Sequence, residues 1–238
     1  MAPVAIDCRR VRITILLVLG GLLSACAQTT TLDQGEAFTP RSATPRVLLM
    51  PADIELSELS AGGIPFPKAE WTEAAKGHVS VALDEFLKAR NATLMAYETP
   101  PDLSPEAHRQ GQIIKLHDAV GKAVLAHKFS PASALPTVRD KFDYTLGKGV
   151  RVLGGADYAL FVYIRDSYAS AERAAAMIFG LLLGVGLPGG VQVGFASLVD
   201  LETGDIVWFN RLISETGDLR TLEPAKKTVE NLLSGFPL

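Results

Sequence analysis

Tyr158-Ala159-Leu160-Phe161-Val162-Tyr163-Ile164 carries the strongest structural signal in the chain. These seven residues carry no charge; Gly154-Gly155-Ala156-Asp157 precede them and Arg165-Asp166 follow. An apolar run of this length, rich in β-branched and aromatic residues and bounded by turn and charge signals, predicts a buried strand.

The flanking sequence supplies the neighbours. Downstream, Val191–Leu201 and Ile206–Ser214 read as two strands, and Thr203-Gly204 fits a hairpin loop in which Gly takes a positive φ. Thr221 is placed to cap a last helix through Ala225, Val229, Leu232 and Leu233. Upstream, Val47-Leu48-Leu49-Met50 is a strand stopped by Pro51, and residues 52–69, with Gly62-Gly63 and Pro65-Phe66-Pro67, are loop-like. Trp71, Ala75, Val79, Ala82, Leu83 and Phe86 recur at helical spacing, which predicts a helix over 70–90. Thr93–Tyr97 reads as a strand, and Ser104-Pro105-Glu106 opens a helix reaching about residue 128. A weaker helical pattern runs through Phe142, Leu146, Val150 and Leu153. Early alternation of strand and helix implies parallel crossovers, and the late hairpin adds an antiparallel pair. The expected fold class is α/β (α+β): a mixed parallel/antiparallel sheet covered by helices, with an apolar Gly-rich insert before the C-terminal hairpin.

The first residues belong to a different class of sequence. Arg9, Arg10 and Arg12 precede an apolar stretch, Ile13–Leu23, that is too short to span a bilayer, and small residues follow it. This is the layout of a secretory signal peptide. Its ending, Leu23-Ser24-Ala25-Cys26, resembles the lipobox of bacterial lipoproteins, which implies cleavage after residue 25 and lipidation of Cys26. The expected organisation is a lipoprotein signal peptide at 1–25, a lipidated Cys26 and flexible tether over 26–45, and a single α/β domain over 46–238. Ala27 stands where an Asp would signal inner-membrane retention, so the resemblance places the chain on the periplasmic face of the outer membrane. Cleavage would remove three Arg and one Asp, taking the formal net charge from −3 to −5. A mildly acidic chain without a basic run argues against a nucleic-acid partner. Cys8 falls in the signal, so the folded part would carry neither a disulfide nor a Cys-based metal site.

Three pieces resemble a known family: Arg46-Val47-Leu48-Leu49-Met50-Pro51, the strand entry Gly155-Ala156-Asp157-Tyr158, and the hairpin Ser197–Trp208. In this order they look like the periplasmic α/β domain of the curli secretion lipoprotein CsgG, the amino-terminal domain of TolB and related proteobacterial lipoproteins. The likeness spans most of 46–238 and implies structural roles, with Asp157 and Asp200 bonding backbone amides at strand ends. It carries over no catalytic residue. CsgG builds its pore from hairpins that alternate in polarity. The insert here, Ala174–Leu187, has no alternation and no charge, so a curli-type pore is not expected.

That insert opens a stretch, Ala174–Val199, without a single charged residue. As a helix, 174–187 would be about 21 Å long, short of the ~30 Å hydrocarbon core. Ala176, Gly180 and Gly184 repeat every fourth position and strip one face of side chains, so another surface could approach closely. Two readings stay open: a core helix, or a membrane-dipping or oligomer-forming segment with Ala176, Gly180, Leu182 and Gly184 at the contact. An all-apolar helix must bury every face somewhere.

No metal or cofactor is expected. His78, His108, His117 and His127 do not converge at helical spacing and read as solvated or capping residues. No zinc-protease, nucleophile-elbow or P-loop pattern occurs, and the glycines of the insert lack dinucleotide-binding order. Asp166, Ser167 and Tyr168, with Arg165 and Glu172 nearby, leave the central strand at its C-terminal end, where open α/β sheets bind ligands. The expected function is a non-catalytic interaction or assembly component of a cell-envelope complex, possessing a lipid anchor to the membrane and a protein partner or copies of itself, in transport or secretion. The first alternative is an oligomeric membrane-inserting secretion component that uses 174–187. An envelope hydrolase at Asp166–Tyr168 ranks last.

Overall fold

The computed structural model describes residues 27–34, 38–134 and 141–238; the expected signal peptide, 1–25, and Cys26 lie outside the described residues. Its elements are β1 (Gln28–Asp33), β2 (Arg46–Leu49), β3 (Asp53–Leu59), β4 (Pro65–Pro67), α1 (Ala69–Lys88), β5 (Thr93–Ala96) and α2 (Pro105–Phe129). After them come β6 (Tyr158–Ala169), α3 (Ala171–Leu182), β7 (Gln192–Asp200), β8 (Ile206–Ser214) and α4 (Leu222–Leu232). The eight strands form one mixed α/β sheet in the order β1-β8-β7-β6-β2-β5, with β3 also on β6 and β4 on β3.

The long strand β6 organises the sheet. One edge pairs antiparallel with β7, from Tyr158 opposite Asp200 to Asp166 opposite Gln192. The other edge is shared by two parallel partners in succession, β2 from Val47 opposite Tyr158 to Leu49 opposite Leu160 and β3 from Asp53 opposite Tyr163 to Leu59 opposite Ala169. Pro51 stands at the break. It has no N–H to give to a ladder, and the Met50 N–H donates the last bond of that segment to the Leu160 carbonyl at 3.0 Å.

Alternation along β6 feeds two cores. Tyr158, Leu160, Val162 and Ile164 face a layer made by α1 and α4, where Val79, Leu83, Leu87, Val229 and Leu232 are buried. Ala159 and Phe161 face the other layer with Ile113 and Val124 of α2 and Val150 of a 3-10 turn. A period of two therefore gives one strand to two helical layers, which is why its run is apolar throughout.

Several expectations change. Residues 28–33 are not part of a tether: they form β1, antiparallel to β8 from Gln28 opposite Ile213 to Asp33 opposite Trp208. Their alternating threonines carry little apolar signal, but an edge strand needs only a ladder and one packed face. Phe38 and Arg41, also in the expected tether, reach the Tyr158 ring and the Asp200 carboxylate. Within the expected loop 52–69, Ile54 and Leu56 are buried on β3 while Glu55 and Glu58 point away, an alternation broken by charges. Residues 142–153 hold a 3-10 segment, Lys148–Leu153, in place of a regular helix. Thr221 precedes α4 but makes no side-chain cap bond, whereas Ser104 caps α2 by accepting from the Ala107 N–H at 2.9 Å.

Candidate functional site

Both places singled out in the sequence lie at one end of the sheet. This end carries the C-termini of β3, β6 and β8 and the N-termini of β1 and β7.

Asp166, Ser167 and Tyr168 do not leave β6; the strand continues to Ala169 because β3 pairs with it residue for residue. Asp166 is 2% exposed. Its carboxylate accepts from Gln192 Nε2 at 2.8 Å, from the Tyr168 hydroxyl and from the Leu219 N–H at 3.4 Å. The Leu219 N–H also reaches the Tyr168 oxygen at 2.9 Å, and Thr228 Oγ1 donates to Gln192 Oε1 at 3.0 Å. Burial pushes the Asp166 carboxyl up to about 6, against the lowering effect of its three donors. Burial and the adjacent carboxylate push the Tyr168 phenol upward as well. The Arg220 guanidinium, bonded to Asp218 at 2.8 Å, lies 3.9 Å over the Tyr168 ring, and Trp71 meets that ring edge-on. A cavity of about 220 Å³ opens beside this group. All three donors meet Oδ2, and through Gln192 and Thr228 the network joins β6, β7 and α4. Of the neighbours, Arg165 pairs with Asp53 on β3, and Glu172, in the first turn of α3, is held low by donors from its own backbone and Ser170.

The apolar insert is α3 and the loop that follows it. Ser170 caps the helix by accepting from the Arg173 N–H at 3.2 Å. A Schellman arrangement ends it: Val185 N–H to the Gly180 carbonyl at 2.8 Å, Gly184 N–H to Leu181 at 3.0 Å, and Gly184 at φ +74°. This assigns the small-residue stripe a local task. A Cβ on Gly180 would stand 2.9 Å from the Val185 carbonyl oxygen, so that face is closed by the helix's own exit and does not await another surface. Ala176 is half-buried and Gly184 exposed. The core reading does not hold: Ile178, Phe179, Leu181, Leu182, Leu183 and Val185 are all exposed, Leu182 at 79%. No helix among the described residues is long and apolar enough to cross a membrane.

The opposite end of the sheet is polar and paired. Asp200 Oδ1 accepts from the Glu202 and Thr203 amides at 2.8 and 3.0 Å, while Oδ2 holds Arg41 at 2.7 Å. Asp157 accepts from the Arg46 N–H at 2.8 Å. Gly204 turns the hairpin at φ +86°, as its place in the loop requires.

Three histidines make ordinary polar contacts, with the Leu219 carbonyl (His78), Gln112 (His108) and the Ser133 carbonyl (His127). His117 was expected in solvent and is buried instead. Its ring stacks on Phe161 at 3.7 Å and its Nε2 meets Ser197 Oγ at 2.6 Å. Burial pushes its pKa down to about 3, so the ring is neutral. The helical period of α2 could have revealed this, since His117 follows Ile113 and precedes Val124 on its buried side. No group of three or more His, Cys, Asp or Glu that could hold a metal occurs among the described residues.

No family model and no curated protein matches the chain. Among solved structures it is similar to the PelC dodecamer of Paraburkholderia phytofirmans, at 11% identity and a TM-score of 0.37, over 88% of this chain and 96% of that one. A variant of that dodecamer gives 11% and 0.37 over 90% and 98%. At this level the likeness assigns neither an activity nor an assembly.

Proposed function

We propose that this chain is a lipoprotein anchored through Cys26 to the periplasmic face of the outer membrane, and that it acts as a non-catalytic interaction or assembly component of an envelope complex serving transport or secretion. The observation that carries the reading is the exposed apolar helix α3 on an otherwise well-packed domain. From Ala174 onward this helix carries no charge, and an apolar segment left in water is an interaction surface, because contiguous apolar patches mark protein or membrane contacts. The lipobox-like Leu23-Ser24-Ala25-Cys26 supplies the anchor, and two or more acyl chains give stable attachment where one gives only marginal binding. The bonds that Asp166 Oδ2 accepts from Tyr168, Gln192 and Leu219 support a structural role for the residue best placed to be catalytic.

The exposure of α3 also favours a second reading, an oligomeric membrane-inserting component built through the same helix. The test is to express the full chain and its Cys26→Ser variant in a Gram-negative host, take intact masses and fractionate the envelope. The proposal expects a processed, acylated species in the outer-membrane fraction that the variant lacks, and in vivo crosslinking to an envelope protein. An unmodified Cys26, or an unchanged distribution in the variant, would overturn it.

A further inference from the structure

We infer that the end of the sheet bearing α3 is a docking platform for the surface of a lipid bilayer, the same bilayer that holds the Cys26 anchor. The inference rests on the lipoprotein reading for its second attachment point.

The exposed large apolar side chains are not scattered. Of twelve among the described residues, nine lie at this end: Ile64 and Phe66 on the β3–β4 hairpin, six within 178–185, and Val191 before β7. Strand register places the two groups together, since β3 ends with Leu59 opposite Ala169, two residues before α3 begins. Arg173, 6% exposed, clamps them. Its guanidinium donates to the Ala61 carbonyl in the hairpin turn at 3.3 Å and to the Pro188 carbonyl beyond α3 at 2.9 and 2.7 Å. From Ala174 to Val199 no charge intervenes, so no charged side chain of the insert resists transfer out of water.

The start of the folded chain lies at the same end. Gln28 is opposite Ile213, Ile213 opposite Val193, and Val193 opposite Arg165. Three strand spacings put Gln28 about 14 Å across the sheet from β6. Cys26 is one peptide bond from Ala27, so with β1 in the sheet no long tether separates its acyl chains from the platform. A helix of 12 residues is about 18 Å long and cannot span the hydrocarbon core, but it can lie in the interface. A bilayer fits the anchor and the patch together, because the chain enters β1 at the end of the sheet that carries the patch.

The experiment places a nitroxide on the full chain at Leu182→Cys and, as reference, at Val81→Cys on α1, each bound to vesicles of phosphatidylethanolamine and phosphatidylglycerol. On the platform, the label at 182 should favour collision with oxygen over a water-soluble nickel chelate by about tenfold more than the label at 81, since interfacial helices bury their apolar face several ångströms deep. This should persist when protein is diluted in lipid. Equal accessibility at the two positions would overturn the inference. So would shielding that appears only at high protein density with spin–spin broadening, which would assign α3 to a second copy. The same labels in a Cys26→Ser background separate the two readings. Shielding at 182 on vesicles without acylation leaves the platform standing if the anchor fails, and its loss from the acylated chain removes the platform while the anchor stands.

Discussion

The two ends of the β-sheet are built from opposite chemistry. At one end Asp157, Asp200, Arg41 and Gly204 close the strand ends and the β7–β8 hairpin with ion pairs and backbone bonds. At the other, α3 and the β3–β4 hairpin leave large apolar side chains in water around a buried arginine clamp. The contrast teaches that the first end serves stability, while the second carries surface that the domain does not need for folding. Two titrating groups of opposite tendency are also buried, Asp166 at the α3 end of the sheet and His117 on α2.

The largest effects belong to the polar end. Gly204→Val should cost about 3 kcal/mol or more in urea unfolding, because L side chains are strained at φ +86° and a Cβ there would stand 2.2 Å from the Gly147 carbonyl oxygen. Gly184→Ala at the apolar end, at φ +74° with nothing within 4 Å, should cost only about 1 kcal/mol. Equal losses would erase the contrast.

The buried pair comes next. A carboxyl raised to about 6 keeps its proton in the folded state over a pH range where the unfolded chain has lost it. The stabilising contribution of Asp166 is therefore fully present below pH ~4 and lost as pH rises through 6, by about 3 kcal/mol. His117 works the other way: its ring is neutral when folded, so stability is lost as pH falls from ~6.5 towards 3, where the unfolded chain takes up a proton. Between pH 4 and 6 the two slopes oppose. Thermal unfolding across that window should show Asp166→Asn losing stability towards acid and His117→Phe gaining it, relative to the parent. Parallel slopes in both variants would contradict the assignments.

Asp200→Ala should cost about 2 kcal/mol, since it leaves two turn amides and the Arg41 guanidinium without their acceptor. Denaturant titration at neutral pH checks it.

The sheet's centre was legible in the sequence because β6, β7 and β8 are long and apolar, and α1 shows a clear helical period. β1 and β3 were not, because Gln28–Asp33 is an edge strand of threonines and Asp53–Leu59 interleaves its core residues with acids. The apolar insert was recognisable from composition, but its exposure was not: an all-apolar run reads the same whether it fills a core or faces a membrane. Only Arg173, bonded to two carbonyls and not to a core partner, explains how the helix stands outside. The Asp166 network was missed because its donors come from residues 168, 192 and 219, which no local pattern links.

The most direct measurement is on the Leu182→Asp variant of the full chain in a Cys26→Ser background, which removes the anchor's share of attachment, comparing unfolding free energy with vesicle binding against the Cys26→Ser parent. A surface substitution on α3 should change stability by less than about 0.5 kcal/mol. It should weaken vesicle partitioning about tenfold or more, since burying one leucine contributes ~1.5–3 kcal/mol and an added charge opposes insertion. A variant that unfolds more easily yet binds vesicles as the parent does would contradict the account.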